Sequence, residues 1–332
     1  MSIILPSAPH IWTKRPKILE PKDPINVTTG MAGEFRLQVR RSDGSLKLDT
    51  GFFPNLITNA GLNIPGTGIE YNAISVGVSN TAPQFTDTTL SGRVATTSSS
   101  QGNTAGETGT PGDPDWYRWI TFTRRFNQGA AAGNLAEIGV TLGASPWTTY
   151  SRALILDGAG NPTTITVLES EFLDATYRHR WYAGEVLDDV NTTINISDVE
   201  YDVVLRRSQV TGGAQSWRPA WGWRAGGINY SAYSGDIGSI DGAPSGTIGN
   251  PTTITDDAYS NGSYGRSFSA FFPLNNANFG GGIKSFHVRA GTGSGGGSAA
   301  AAYQFSVTPT IPKNANNILT MNARQTWARR SL

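Results

Sequence analysis

With 26 Lys and Arg against 25 Asp and Glu in 332 residues, the chain has a net charge of +1, and no global field draws it to nucleic acid or anionic lipid. It has no cysteine, which excludes disulfides, zinc–thiolate sites and thiol nucleophiles. Charged residues make up only 15% and glycines number 40, so Ser, Thr, Asn and Gly must cover much of the surface of one large or two ordinary domains.

Residues 1–29 read as an extended docking arm. Pro6, Pro9, Pro16, Pro21 and Pro24 oppose helix and favour polyproline-like backbone. Between them stand Ile4, Leu5, Ile11, Trp12, Ile18 and Leu19, with Lys14, Arg15, Lys17 and Lys22 adding positive charge. A plain linker has no use for a tryptophan and these aliphatics, so the six apolar residues are expected to bind a neighbouring protein. The first residues show neither a basic nor an apolar leader region, and no secretory signal is expected there. No run approaches the ~20 apolar residues of a membrane span.

Residues 30–189 read as a β domain. Residues 34–40 alternate polar and apolar, as a half-buried strand does, and Ser42-Asp43-Gly44 is a hairpin turn. Residues 56–62 suggest one helical turn and 74–78 a strand. Residues 96–115 are almost wholly Thr, Ser, Gly, Asn and Pro, which predicts a long exposed loop. A long strand follows at 116–126, with aromatic residues on both faces. Further strands are expected at 135–142, 152–156, 163–167 and 173–182, with a turn at 157–162.

Residues 190–332 read as a second β-rich domain or a continuation of the first. Strands are expected at 193–196, 201–206, 217–223, 267–272, 283–289, 303–307 and 318–327, with long loops at 226–266 and 290–300. Many strand signals and few helix signals predict an all-β protein. The expected architecture is an antiparallel, jelly-roll-like β-sandwich, as one large or two packed domains behind the proline-rich arm.

Little points to chemistry. Asp113 and Asp115, Asp188 and Asp189, and Asp256 and Asp257 are close in sequence, but adjacent strand residues face opposite ways. Asp23, Asp87, Asp113 and Asp115 lack the spacing of a calcium loop. His10, His179 and His287 lack metal-ligand spacing, and no nucleophile-elbow motif is present. No catalytic, cofactor-binding or metal-ligating residue is therefore expected. Trp217, Trp221 and Trp223 would share one face of an unbroken strand, with Tyr230 and Tyr233 nearby; Pro219 argues for a bulge or edge. Such a cluster packs a core, anchors a protein interface or stacks on a glycan. The arginines among residues 322–330 suit a closing strand that pairs with a neighbouring subunit.

Three groups of segments carry a family resemblance. The first is Phe53-Pro54-Asn55-Leu56-Ile57-Thr58-Asn59-Ala60-Gly61-Leu62, followed by Ile74-Ser75-Val76-Gly77-Val78. The second is Ser151-Arg152-Ala153-Leu154-Ile155-Leu156-Asp157-Gly158-Ala159-Gly160-Asn161-Pro162, with Leu173-Asp174-Ala175-Thr176-Tyr177. The third is Phe305-Ser306-Val307-Thr308-Pro309-Thr310-Ile311-Pro312-Lys313-Asn314, leading to Leu319-Thr320-Met321-Asn322-Ala323-Arg324. Taken in this order, they resemble structural proteins of tailed bacteriophages, of the minor tail, baseplate and tail-fibre type. The resemblance implies a non-enzymatic virion component of the tail, baseplate or neck, built in several copies and contacting itself and other virion proteins. No coiled-coil, collagen-like or repetitive shaft is visible, which favours a compact adaptor over a distal fibre. The rival expectations are a receptor-binding module that contacts host surface glycan, a capsid decoration protein, and a polysaccharide depolymerase.

Overall fold

A computed structural model describes residues 17–22, 24–67, 71–109, 113, 115–142, 148–182, 189–208, 228–240, 242–291 and 299–330. Their backbone is nearly all β, arranged in several sheets that are mostly antiparallel.

The largest sheet has ten strands. Its central order is β19 (Thr253–Asp256), β20 (Gly265–Phe272), β23 (Asn317–Arg329), β2 (Ile25–Arg40), β14 (Phe172–Tyr182), β9 (Tyr117–Phe126) and β8 (Ser100–Thr108). The short strand β1 (Lys17–Leu19) lies beside β23, while β3 (Leu46–Asp49) and β4 (Phe53–Pro54) lie beside β2. The period of two explains β2: Phe35, Leu37 and Val39 are fully buried, while Arg36, Gln38 and Arg40 on the other face are half-buried.

A six-stranded sheet runs β15 (Val190–Ile196), β16 (Val199–Arg207), β22 (Ala299–Ile311), β21 (Ile283–Gly291), β17 (Ile228–Tyr233) and β18 (Ile248–Gly249). A five-stranded sheet runs β5 (Leu56–Ile57), β12 (Thr149–Leu154), β11 (Glu137–Leu142), β6 (Tyr71–Gly77) and β7 (Arg93–Thr97). A small pair joins β10 (Gly133–Leu135) to β13 (Ile165–Val167).

One continuous core joins these sheets. The buried face of the large sheet meets Tyr150 of β12, whose ring lies edge-on to Tyr177 of β14 at 6.2 Å. It also meets Tyr230 of β17, edge-on to Phe272 of β20 at 6.4 Å. Both smaller sheets therefore pack on the same side of the large one.

The helix α1 (Asn59–Thr67) is the one helix among the described residues. It is longer than the single turn expected and continues through Pro65. Thr58 caps it: its hydroxyl accepts the Gly61 N–H at 2.9 Å and donates to the Thr149 carbonyl at 2.6 Å.

Pairing redraws the expected divisions. The cut at 29/30 falls inside β2, and β1 and the start of β2 belong to the body of their own chain, where Leu19, Ile25 and Val27 are buried. The cut at 189/190 separates strands of one sheet, because β23 from the second half pairs with β2 from the first and carries β20 on its other side. The expected loop at 96–115 contains the end of β7 and the whole of β8. Its polar sequence hides strand character because β8 is held by backbone pairing to β9 and by hydroxyl contacts such as Thr104 to Thr121. The expected loop at 226–266 contains β17, β18 and β19.

Candidate interaction face

The outer face of the large sheet is built from alternate residues of β2, β14 and β9. Register sets Gln38, Asp174 and Arg125 in one row, Arg36, Thr176 and Thr123 in the next, and Glu34, Arg178 and Thr121 in the next. Ala32, Arg180 and Trp119 form the row beyond.

Two carboxylates organise this face. Asp174 receives Arg125 Nε at 2.7 Å and Arg40 Nε at 2.9 Å. Glu34 receives Arg180 Nε at 2.9 Å and Arg178 Nη1 at 3.3 Å. The Asp174 side chain is only 6% exposed, whereas its two arginines are 29–30% exposed. The acids therefore lie beneath and the guanidiniums above. Two arginines to one carboxylate leave one uncancelled positive charge in each trio. Arg36 pairs separately with Asp49, which holds that carboxyl well below the usual range, chiefly through this hydrogen bond.

Aromatic rings hold the arginines in place. Arg178 lies 3.6 Å from the Phe52 ring centroid and 5.1 Å from that of Trp119. Arg180 lies 4.4 Å from Tyr117, and Arg125 lies 5.3 Å from Phe172. Tyr117, Ala32 and Tyr182 are buried on this side as a small second cluster against Trp119. The result is a prearranged, net-positive surface of Arg, Thr and aromatic groups. Sequence reasoning missed it, although the alternation Arg178-His179-Arg180 already placed two arginines on one face of β14.

The expected site residues are dispersed. Ile4, Leu5, Ile11 and Trp12 lie outside the described residues, as do Trp217, Trp221 and Trp223. Ile18 is 60% exposed, while Leu19 beside it is buried. Tyr230 and Tyr233 are buried and do not offer their rings to a glycan. Tyr230 packs among Phe272, Phe286 and Phe305, and the Tyr233 ring lies 6.4 Å from His287. The cause is topological: β17 is an interior strand between β18 and β21, covered on both faces.

Other polar groups meet partners within the chain. Arg152 and Glu137 are fully buried partners: Arg152 Nε donates to Glu137 at 2.9 Å, while Nη1 reaches Asp87 at 2.6 Å. Arg152 Nη2 reaches the Thr81 carbonyl at 2.8 Å. Asp115, Asp189 and Asp256 each pair with an arginine. Ser208 Oγ donates to the Gly242 carbonyl at 2.6 Å, so its contact with His287 Nε2 at 2.8 Å places the proton on the histidine. That hydroxyl has no proton left for the imidazole to take. Burial lowers the pKa of His179 to about 3 and that of His287 to about 4, with Arg289 adding to the second.

Among the described residues, no group of three or more His, Asp or Glu could hold a metal ion. Nor is any helix there long and apolar enough to cross a membrane. Fold and face together define an all-β protein with a positively charged arginine–aromatic sheet surface. Comparison with protein-family models, curated proteins and solved structures returns no match.

Proposed function

We propose that this chain is a structural virion subunit of a tailed bacteriophage, of the tail, baseplate or neck-adaptor type. It works by protein–protein assembly in several copies, without catalysis or cofactor, and resides in the virion. The ordered phage-like segments carry the family part of this reading. The observation that carries the mechanical part is the seating of β1. Leu19 is locked into the chain's own core while Ile18, one residue earlier, stands 60% exposed. Residues 1–16, with Ile4, Leu5, Ile11 and Trp12, lead into that point. Burying such apolar groups against a partner contributes about 1.5–3 kcal/mol each. The arm that grips a neighbour is therefore residues 1–18 rather than 1–29.

The finer architecture belongs to the same reading: the large sheet and the two smaller sheets act as layers of a jelly-roll-like β-sandwich. Deletion of residues 1–16 tests the function, because it leaves β1 and the core intact. The truncated chain is expected to be soluble, to keep its thermal midpoint, and to be missing from particles assembled in its presence. Normal incorporation would refute the proposal.

A further inference from the structure

We infer that the chain associates head to tail with a second copy of itself, the outer face of the ten-stranded sheet receiving the β15–β16 hairpin of its neighbour. This rests on the reading of the chain as an assembly subunit and assigns the surfaces that meet.

The face carries two uncancelled positive charges, one in the Arg40–Asp174–Arg125 trio and one in the Arg178–Glu34–Arg180 trio. The hairpin carries the opposite surplus. Glu200 and Asp202 are both exposed and have no ion pair among the described residues. They lie two residues apart on β16, so both point to one side, about 7 Å apart. Their register neighbours on β15 are Asn195 and Thr193, and Asp202 faces Thr308 on β22, so the adjoining strands supply no cation. Of the other hairpin charges, Asp198 pairs with Lys22, Arg206 pairs with Asp189, and Arg207 is buried, 5.7 Å from the Trp116 ring centroid, away from the exposed side.

One molecule cannot join the two surfaces. The hairpin belongs to the six-stranded sheet, which packs on the opposite side of the large sheet through Tyr230 and Phe272. A second copy can. Phe52 and Trp119 are half-buried and offer ring surface at the centre of the contact, within a rim of Arg, Thr and Gln. Such a polar contact owes much of its strength to charge and weakens with salt. Because the two patches differ, the contact is heterologous, and its repetition gives a ring or an open row.

The test uses two double variants of the full chain that spare the fold. E200Q/D202N removes exposed charges only. R125Q/R178Q leaves each buried carboxylate one arginine, Arg40 for Asp174 and Arg180 for Glu34. Sedimentation of the unmodified chain is expected to show oligomers at about 0.05 M salt that dissociate at about 0.5 M. Each variant alone should associate at least about tenfold more weakly. Mixing the two should restore one good contact per pair and give a one-to-one dimer that grows no further.

A monomeric unmodified chain at low salt would overturn the inference. So would unchanged association of E200Q/D202N, or a mixture that fails to pair. Salt-sensitive binding of the face to heparin without any self-association would assign it to a foreign polyanion and likewise overturn it. Failure here is separable from failure of the arm proposal, which is read by particle entry of the chain lacking residues 1–16.

Discussion

Gly61 sits in the first turn of α1, where alanine would ordinarily favour the helix by about 1 kcal/mol. Here an added Cβ would lie 2.0 Å from the Tyr150 carbonyl oxygen and 3.1 Å from Ile57 Cγ2. That carbonyl cannot turn away, because it accepts the Thr58 N–H at 3.0 Å. The steric cost outweighs the propensity: Gly61→Ala should lower stability by about 3 kcal/mol, read from the denaturant midpoint. A gain in stability would show that the helix stands off β12. The buried histidines set a pH response. Both have folded pKa values below the ordinary 6.5, so the unfolded chain binds the protons more readily. Their contribution is complete above about pH 6.5 and is lost as pH falls towards 4 and 3. By pH 5 the loss is about 4 kcal/mol for the pair. Thermal midpoints should therefore drop between pH 7 and 5. His179→Phe, which keeps the stack on Trp181, should reduce that drop by about half.

Between elements, the Arg152–Glu137 pair ties β12 to β11 and fastens the segment around residues 81–92 through Asp87, Thr81, Ser91 and Gly92. A buried pair contributes little against an apolar replacement of both members, but removing one member strands a charge. Arg152→Leu should cost about 3–5 kcal/mol, whereas Arg152→Leu with Glu137→Leu should recover much of that loss. Chemical denaturation of the two variants checks this, and equal losses in both would contradict it. The same dependence on neighbours limited what could be read along the chain. Strands with alternating apolar residues, such as 34–40 and 173–182, announce themselves, because one buried face suffices to specify them. The strand β8 (sequence SQGNTAGET) has no such face and exists only because β9 supplies its hydrogen-bonding partner. Tyr230 belongs to an aromatic-rich stretch that suits an exposed sugar site, until β21 and β18 enclose its strand.

Across the described residues, the first two strands and the last lie side by side. The strand β23 pairs parallel with β1 and β2, and antiparallel with β20 on its other side, so the last strand holds the first in the middle of the sheet. Contacts between residues about 300 apart bring a large entropy cost before they bring any gain, and folding cannot finish until the end of the chain is present. A chain ending at Ile311 loses Leu319, Met321, Ala323 and Trp327 from the core and leaves two sheet edges open. It is expected to lack cooperative unfolding and to exchange amide hydrogens throughout β2. Native-like protection of β2 in that truncation would show that β23 is dispensable.

The sequence by itself settled the β character, the positions of the alternating strands, the absence of thiol chemistry and the two-faced pattern of β9, because these depend on residue type and on a period of two along one strand. Which strands are neighbours depends on contacts between distant residues, and no local pattern encodes those. Tertiary structure alone therefore decided that β23 joins β2, that Leu19, Ile25 and Val27 are core, that Tyr230 is hidden, and that four arginines from three separate strands gather over two carboxylates on a single face.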